Sequence, residues 1–176
     1  MLLTETTQSD MSETIPRTKK TLDLRVLRSL DIDTLSRLAT LFADMHTESA
    51  YAQHKLDHKK VFNILDRVAN TDDHWGLIAW LGEKPIGIIG AYASPHKYVE
   101  GVVTCDHIVY ISAEYRTEYP TLGVHLINKY IEWAQEVPDI IEINIATTFG
   151  HKTEKVERLY NYLGFTKSGA YYSRRV

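Results

Sequence analysis

The sequence predicts an α/β protein with one mixed, mostly antiparallel sheet flanked by helices, in the order β-α-α-β-β-β-α-β-α-β. Three observations lead to this prediction. Short apolar strand-like segments alternate with amphipathic helical ones, a strand hairpin stands in the first half, and helical crossovers follow it. The 176 residues suffice for one core. We therefore expect a single domain over residues 21–176, preceded by a polar, aperiodic and flexible tail over residues 1–20.

The first part of the predicted domain contains one strand and two helices. Apolar and charged residues alternate from residue 22 to residue 26, which is typical of a short strand. A first helix can be capped by Asp31 or Asp33, and a second by Asp57. The apolar positions that recur at helical spacing are Leu35, Leu38, Phe42 and Met45 in the first helix, and Val61, Ile64, Leu65 and Val68 in the second.

A hairpin and alternating strands and helices make up the rest. The hairpin arms are residues 75–81 and 85–92, and we expect a three-residue turn, Gly82–Lys84, between them. Gly164 stands where a helix-ending glycine belongs. The remaining elements are predicted as a strand at 102–111, a helix at 120–135, a strand at 140–145, a helix at 153–163 and a last strand at 170–173.

Composition excludes several classes of protein. Lys and Arg total 20 against 23 Asp and Glu, a net charge of −3, which argues against a dedicated nucleic-acid binder. The single cysteine, Cys105, excludes an internal disulfide framework and a cysteine-cluster zinc site. His54 and His58 have helical metal-ligand spacing but no third ligand in register, so we predict no metal. No apolar run is long enough to span a membrane, and we expect a cytoplasmic protein.

Two local patterns, in the predicted element order, carry a family resemblance. Residues 159–165 have the sequence LYNYLGF, similar to an L-Y-x-x-x-G-F motif at the end of a helix. Residues 111–116 have the sequence ISAEYR, similar to a V-x-P-x-Y-R motif that precedes an acyl-CoA-binding loop. The chain from residue 22 to residue 176 thus resembles the Gcn5-related N-acetyltransferase (GNAT) family. The resemblance implies an enzyme that transfers an acetyl group from acetyl-CoA to a primary amine by direct attack.

The resemblance also implies cofactor contacts. The strand backbone at Val109, Tyr110 and Ile111 would pair with the pantetheine arm, and Asn144 would anchor that arm or a helix. Arg116 and the helix start at Thr121, Leu122 and Gly123 would meet the pyrophosphate. The loop before this helix departs from the family's glycine-rich pattern, because Pro120 removes one N–H donor and Glu118 adds negative charge. A non-catalytic protein that binds acyl-CoA or a protein partner is therefore the alternative.

Three residues are candidates for proton transfer. Asp106 and His107 are adjacent on the long strand, so their side chains point to opposite faces and only one of them can face the cleft as general base. A histidine at the offset of His107 in a branch of the family favours His107 over Asp106. Tyr160 occupies the position of the family tyrosine that protonates the departing thiolate. A tyrosine packed in the core is the alternative for that position.

The sequence defines the acceptor of the acetyl group less closely than it defines the cofactor contacts. We expect an amine substrate, either a small molecule or a protein, and neither a membrane nor a nucleic-acid partner; a homodimer is consistent with the resemblance. The resemblance places residues 45–49 at the wall of the acceptor site. His46, Glu48 or Tyr51 would then contact the acceptor, and a plain surface loop is the alternative.

Overall fold

A computed structural model describes residues 21–146 and 153–169. A turn of 3₁₀ helix at Ala113–Tyr115 follows the long strand at Val102–Ile111. The tail at 1–20 and the strand predicted at 170–173 lie outside the described residues. The other elements follow the predicted order: β1 (Leu22–Val26), α1 (Ile32–Glu48), α2 (His58–Asn70), β2 (His74–Leu81), β3 (Lys84–Pro95), β4 (Val102–Ile111), α3 (Leu122–Gln135), β5 (Ile140–Ile143) and α4 (Thr153–Tyr162).

Side-chain caps begin the first two helices where the sequence places them. Asp31 caps α1 by accepting a hydrogen bond from the Thr34 N–H at 2.6 Å, and Asp33 lies within the first turn. Asp57 caps α2 through the N–H groups of Lys59 and Lys60. These bonds satisfy donors that a helix start leaves without intrahelical partners.

The five strands form one sheet in the order β1-β2-β3-β4-β5. The first four are antiparallel neighbours, and β5 joins β4 in parallel, so the predicted mixed, mostly antiparallel sheet is confirmed. The predicted three-residue hairpin turn is wrong, because Leu81 pairs with Lys84 and only Gly82 and Glu83 remain in the turn. Gly82 has φ 61°, a left-handed value that glycine adopts without steric cost.

Three predicted boundaries also shift. The third helix begins at Leu122 instead of Pro120, because Thr121 takes the N-cap position. The strand predicted to reach Ile145 ends at Ile143, where the chain leaves the sheet. β3 continues to Pro95, because its last residues still pair with the start of β4, and proline is tolerated at the end of a strand.

β4 and β5 separate after a short paired stretch. Their register runs only over Val102–Thr104 of β4. The N–H of Asn144 donates to the carbonyl of Thr104 at 2.8 Å just beyond β5. From residue 105 to Ile111, β4 pairs with β3 but not with β5 within the described chain. Beyond Thr104 this edge of β4 is therefore not paired by any described strand, and we refer to it, with the adjoining residues 144–146, as the β4–β5 opening.

A β-bulge lies at the start of this opening. Ala91 of β3 pairs with Asp106, and the preceding residue Gly90 pairs with Ile108, so His107 is the extra residue of β4. Bulges bend a strand and redirect its side chains. The bulge therefore determines where Asp106 and His107 point.

Both faces of the sheet are covered by helices. The face toward α3 buries Leu77, Ala79, Ile89, Leu122, Leu126, Ile127 and Tyr130. The face toward α1 and α2 buries Leu38, Leu41, Phe42, Leu65, Val68, Ile78 and Ile88. Among the described residues, none of the helices combines the length and the apolar character that crossing a bilayer requires.

Candidate functional site

Asp106 and Tyr160 come together at the β4–β5 opening. The N–H of Ala146, just after β5, donates to Asp106 Oδ1 at 2.7 Å. The hydroxyl of Tyr160, on α4, donates to the carbonyl of the same alanine at 3.1 Å. The main chain of Ala146 therefore links the Asp106 carboxylate to the Tyr160 phenol, although the two residues are far apart in the sequence. Ala146 contributes only main-chain groups, which no sequence pattern could have indicated.

Burial raises the pKa of both side chains. It raises the pKa of Asp106, and the hydrogen bond from Ala146 opposes this rise. It also raises the pKa of Tyr160, with a smaller contribution from the negative charge of Asp106. A carboxylate with a raised pKa is a stronger base than an exposed one, and a phenol with a raised pKa keeps its proton at neutral pH. Asp106 is thus a stronger base than an exposed carboxylate, whereas Tyr160 carries a proton at neutral pH but is a weaker acid than an exposed phenol.

His107 lies on the opposite face of the sheet. Its ring stacks on Tyr92, with centroids 4.5 Å apart, and on His74 at 5.2 Å. Its Nε2 atom is buried and has no hydrogen-bond partner among the described residues. Burial lowers the pKa of His107, and the charges of His74 and Arg67 lower it further. The imidazole is therefore neutral at pH 7 but enclosed by aromatic rings and separated from Tyr160 by the sheet.

The open edge of β4 presents the backbone of two of the three predicted contacts. The N–H of Ser112 bonds to Ile86 on the β3 side at 2.9 Å, and alternate residues direct their peptide groups to opposite edges. Val109 and Ile111 therefore direct theirs toward the opening, whereas Tyr110 directs its own toward β3. Of the three predicted residues, Val109 and Ile111 therefore have their peptide groups at this edge, and the pantetheine contacts of all three stay predictions.

The start of α3 offers backbone donors near the same end of β4. Thr121 caps the helix without a side-chain hydrogen bond, and its carbonyl accepts the first intrahelical bond from His125. The N–H of Leu122 already donates to Tyr119 at 3.1 Å. The first-turn N–H groups of Gly123 and Val124 are therefore the donors best placed for an anion. Pro120 and Glu118 still make this a weaker anion site than a glycine-rich loop.

Arg116 is held by groups of the protein itself. Its Nε donates to the carbonyl of Ile111 at 2.8 Å, and its Nη1 forms an ion pair with Glu48 Oε2 at 2.8 Å. Its guanidinium lies 5.4 Å from the ring centroid of Tyr110, whose hydroxyl donates to Glu48 Oε1 at 2.6 Å. Glu48 ends α1, so this contact brings the predicted acceptor wall against the predicted cofactor loop.

Asn144 holds the sheet together through its main chain. Its N–H bonds to Thr104, and its carbonyl accepts a hydrogen bond from the buried Tyr130 hydroxyl at 2.7 Å. These contacts place Asn144 at the point where β4 and β5 begin to separate. Its predicted role toward the pantetheine arm stays a prediction.

Two surface pockets lie elsewhere, near the C-terminal end of α3. They have volumes of about 470 and 630 Å³ and share Asp72, Trp133 and Glu136. None of the predicted site residues lines either pocket. Among the described residues, no group of three or more His, Cys, Asp and Glu side chains could hold a metal ion.

Comparisons with known proteins show which solved structures share the fold of this chain. No family model and no curated protein matches the sequence. An aminoglycoside acetyltransferase from an uncultured soil metagenomic sample, in complex with sisomicin, aligns with a TM-score of 0.62 at 13% identity over 88% of this chain and 96% of its own. Ribosomal-protein-alanine N-acetyltransferase from Brucella melitensis biovar Abortus 2308 gives a TM-score of 0.62 at 14% identity, with coverages of 89% and 99%.

A third similar structure is named as a transcriptional regulator and not as an acetyltransferase. A transcriptional regulator from Bacillus halodurans C-125 aligns with a TM-score of 0.65 at 15% identity, over 88% of this chain and 100% of its own. With the two acetyltransferases it establishes the architecture. The chain has the GNAT acetyltransferase fold, and the predicted resemblance is confirmed at that level. Function has to be argued from the site, because one fold supports several activities.

Proposed function

We propose that the protein is an N-acetyltransferase that moves an acetyl group from acetyl-CoA to a primary amine. The observation that carries this proposal is the Asp106–Ala146–Tyr160 arrangement at the opening between β4 and β5. It places a carboxylate of raised pKa and a protonated phenol on one face of the sheet, beside an open strand edge. The fold supports the same activity class, since named acetyltransferases share it.

The proposed reaction is a direct transfer. The amine nitrogen attacks the thioester carbonyl carbon, the new C–N bond forms and the C–S bond breaks. Asp106 takes the proton that the amine loses, and Tyr160 gives its proton to the departing sulfur. His107 remains the alternative base. Direct attack requires no covalent intermediate on the protein.

Backbone groups would hold the cosubstrate. The peptide groups of Val109 and the N–H of Ile111 would pair with the amides of an extended pantetheine arm, while the Ile111 carbonyl already accepts a hydrogen bond from Arg116 Nε. The N–H groups of Gly123 and Val124 suit the pyrophosphate, together with Arg116. The acceptor that we propose is a cationic amine, small or displayed on a protein, as the names of the two acetyltransferase neighbours suggest.

A binding and turnover experiment tests this function. Acetyl-CoA at about 100 times its dissociation constant should raise the free energy of unfolding by about 2.7 kcal/mol, measurable as a higher melting temperature. Turnover is then followed by release of free thiol with sisomicin, an alanine-terminated peptide and tyramine as acceptors. No stabilisation at millimolar acetyl-CoA would contradict the proposal.

Gly123→Ala provides a sharper prediction about the cofactor site. A Cβ added at Gly123 would meet Ile111 Cδ1 at 3.6 Å and Leu159 Cδ2 at 3.7 Å, which are ordinary contacts. The substitution should therefore leave the fold intact and raise stability by up to about 1 kcal/mol, because alanine is the better helix former. Acetyl-CoA affinity should fall at least about tenfold if the phosphates approach this backbone. Thermal unfolding and calorimetric titration of one variant give both results, and unchanged affinity would remove Gly123 from the site.

A non-catalytic acyl-CoA-binding protein is the second candidate. It is favoured by the glycine-poor loop and by Arg116, whose guanidinium is already engaged by Glu48 and Ile111. Stabilisation by acetyl-CoA without thiol release from any amine would support this candidate over the enzyme.

A further inference from the structure

The hydroxyl of Tyr130, on α3, joins β4 to the chain just beyond β5. It donates to the Asn144 carbonyl at 2.7 Å and lies 3.0 Å from Thr104 Oγ1. A phenol has a single proton, so the threonine hydroxyl supplies the proton of the second bond. Asn144 also donates its N–H to the Thr104 carbonyl at 2.8 Å. We call these three residues, Thr104, Tyr130 and Asn144, the Tyr130 network.

A similar pattern recurs two residues further along both segments. Ala146 donates its N–H to Asp106 Oδ1 at 2.7 Å, and its carbonyl accepts a hydrogen bond from the Tyr160 hydroxyl at 3.1 Å. The acceptor on β4 is now a side chain instead of the main chain, since β4 pairs with β5 only as far as Thr104 within the described chain. The Asp106 carboxylate therefore bridges from β4 to the residues that follow β5.

The Tyr130 network restricts where this bridge can form. Only two residues separate Thr104 from Asp106, and only two separate Asn144 from Ala146. Two residues span at most about 7 Å, and the side chains of alternate strand residues point to the same face. Thr104 and Tyr130 are fully buried, so water does not compete for their hydroxyls. The bond between Ala146 and Asp106 therefore has little freedom to move while the network is intact.

We propose that Tyr130 is a positioning residue for the base Asp106. With Thr104 it fixes the main chain at Asn144, and that main chain keeps the N–H of Ala146 on the Asp106 carboxylate. This inference rests on the proposed function, in which Asp106 takes the proton of the amine. Tyr130 bonds to neither Asp106 nor Ala146, and it acts only through the position of the carboxylate.

The bond from Ala146 gives this role a measurable signature. Burial raises the pKa of Asp106, and the hydrogen bond from Ala146 lowers it, so a weakened bond would leave the pKa higher. Four titratable side chains respond to the charge of Asp106 and are neutral at pH 7, because burial raises the pKa of each: Tyr92, Cys105, Tyr130 and Tyr160. A change in the pKa of Asp106 therefore reports on its hydrogen bond and not on a neighbouring charge.

Carbon-13 NMR titration of the Asp106 carboxyl in the full chain tests the inference without any substrate. Tyr130→Phe keeps the ring in the core and removes the hydroxyl, so the pKa of Asp106 should be higher than in the wild type. The Asp106 signal is identified by its absence in Asp106→Asn. Tyr115→Phe is the matched control, because Tyr115 is buried in the same core and its hydroxyl interacts with Lys84 and Glu114 instead.

The outcomes of the titration decide between positioning and a general effect on the core. An unchanged pKa of Asp106 in folded Tyr130→Phe, or an equal rise in Tyr115→Phe, would overturn the inference. If Tyr130→Phe does not fold, judged by its melting transition, Thr104→Val replaces it. Valine has the shape of threonine and removes only the hydroxyl that ties Tyr130 to β4, so the pKa of Asp106 should again rise. No rise in that variant would overturn the inference equally.

Turnover separates this inference from the proposed function. Tyr130→Phe should lower kcat by about tenfold to a hundredfold, as small misplacements of a catalytic group do, and should change KM for acetyl-CoA little. In an Asp106→Asn background the same substitution should cost little more, because residues that act as a unit are not additive. A full further loss in that background would overturn the positioning role. A wild type that acetylates no amine contradicts the proposed function, whereas the titration still decides whether Tyr130 positions Asp106.

Discussion

Asp106→Asn should lower turnover by about 10²–10⁴-fold, the usual cost of losing a positioned general base. Asparagine retains an oxygen that can accept the N–H of Ala146, so the local geometry and the affinity for acetyl-CoA should change little. The loss should therefore appear in kcat and in kcat/KM alike, as expected for a group that acts in the transition state. Steady-state kinetics with any acceptor that the wild type acetylates provides the measurement.

The same substitution should not destabilise the protein at neutral pH. Burial raises the folded-state pKa of Asp106 above its unfolded value, so the native protein binds this proton more tightly than the unfolded chain does. Stability from this group is fully present below the unfolded pKa of about 3.9 and is lost as pH rises through the folded pKa. Asparagine does not titrate, so the variant loses no stability at this position as the pH rises. Denaturant unfolding between pH 4 and pH 8 should show Asp106→Asn gaining on the wild type as pH rises.

His107→Phe is the control that decides between the two candidate bases. Phenylalanine keeps a ring against Tyr92 and His74 and removes the buried Nε2 atom that has no partner among the described residues. Its stability should match or exceed that of the wild type, because an unsatisfied buried polar atom costs free energy. Near-normal turnover is expected. A deep loss in His107→Phe with little loss in Asp106→Asn would assign the base to His107.

Local sequence signals predicted most of the described fold. Aspartate caps at residues 31 and 57, and Gly164 with φ 87° after α4, mark helix ends by chemistry that depends on a few neighbouring residues. The hairpin turn was one residue shorter than predicted, because strand pairing decided whether Lys84 belongs to the turn or to β3. Pairing is a long-range property that the local sequence does not contain.

The sequence predicted which residue types the candidate site contains, but not how those residues are arranged in space. Alternation correctly separated Asp106 from His107, but the bulge and the separation of β4 from β5 set which of them meets Tyr160. The sequence favoured His107 through the family resemblance, whereas the structure brings Asp106 to Tyr160. The contact between Glu48 and Arg116 joins α1 to the end of β4, and no spacing pattern indicates such a pair.

Tyr160→Phe should lower turnover at least about tenfold, toward the 10²–10⁴ range for lost acid catalysis. A phenol is protonated at neutral pH even at its ordinary pKa of about 10, so Tyr160 carries a proton that a departing thiolate could take, although burial raises its pKa and makes it a weaker acid. Phenylalanine preserves the ring contact with Phe165, at 5.9 Å between centroids, and removes only the hydroxyl that bonds to Ala146. Stability should therefore change by no more than about 1 kcal/mol, the usual net contribution of one hydrogen bond.

Tyr162→Phe is the matched control for this loss. Tyr162 lies two residues further along α4, which turns its side chain by about 200° away from the Tyr160 direction. Its side chain is 80% exposed, so its hydroxyl faces solvent and not the β4–β5 opening. Turnover and melting temperature of Tyr162→Phe should equal those of the wild type. Equal losses in the two variants, or normal turnover in Tyr160→Phe with an acceptor that the wild type acetylates, would show that the Tyr160 hydroxyl does not protonate the leaving sulfur.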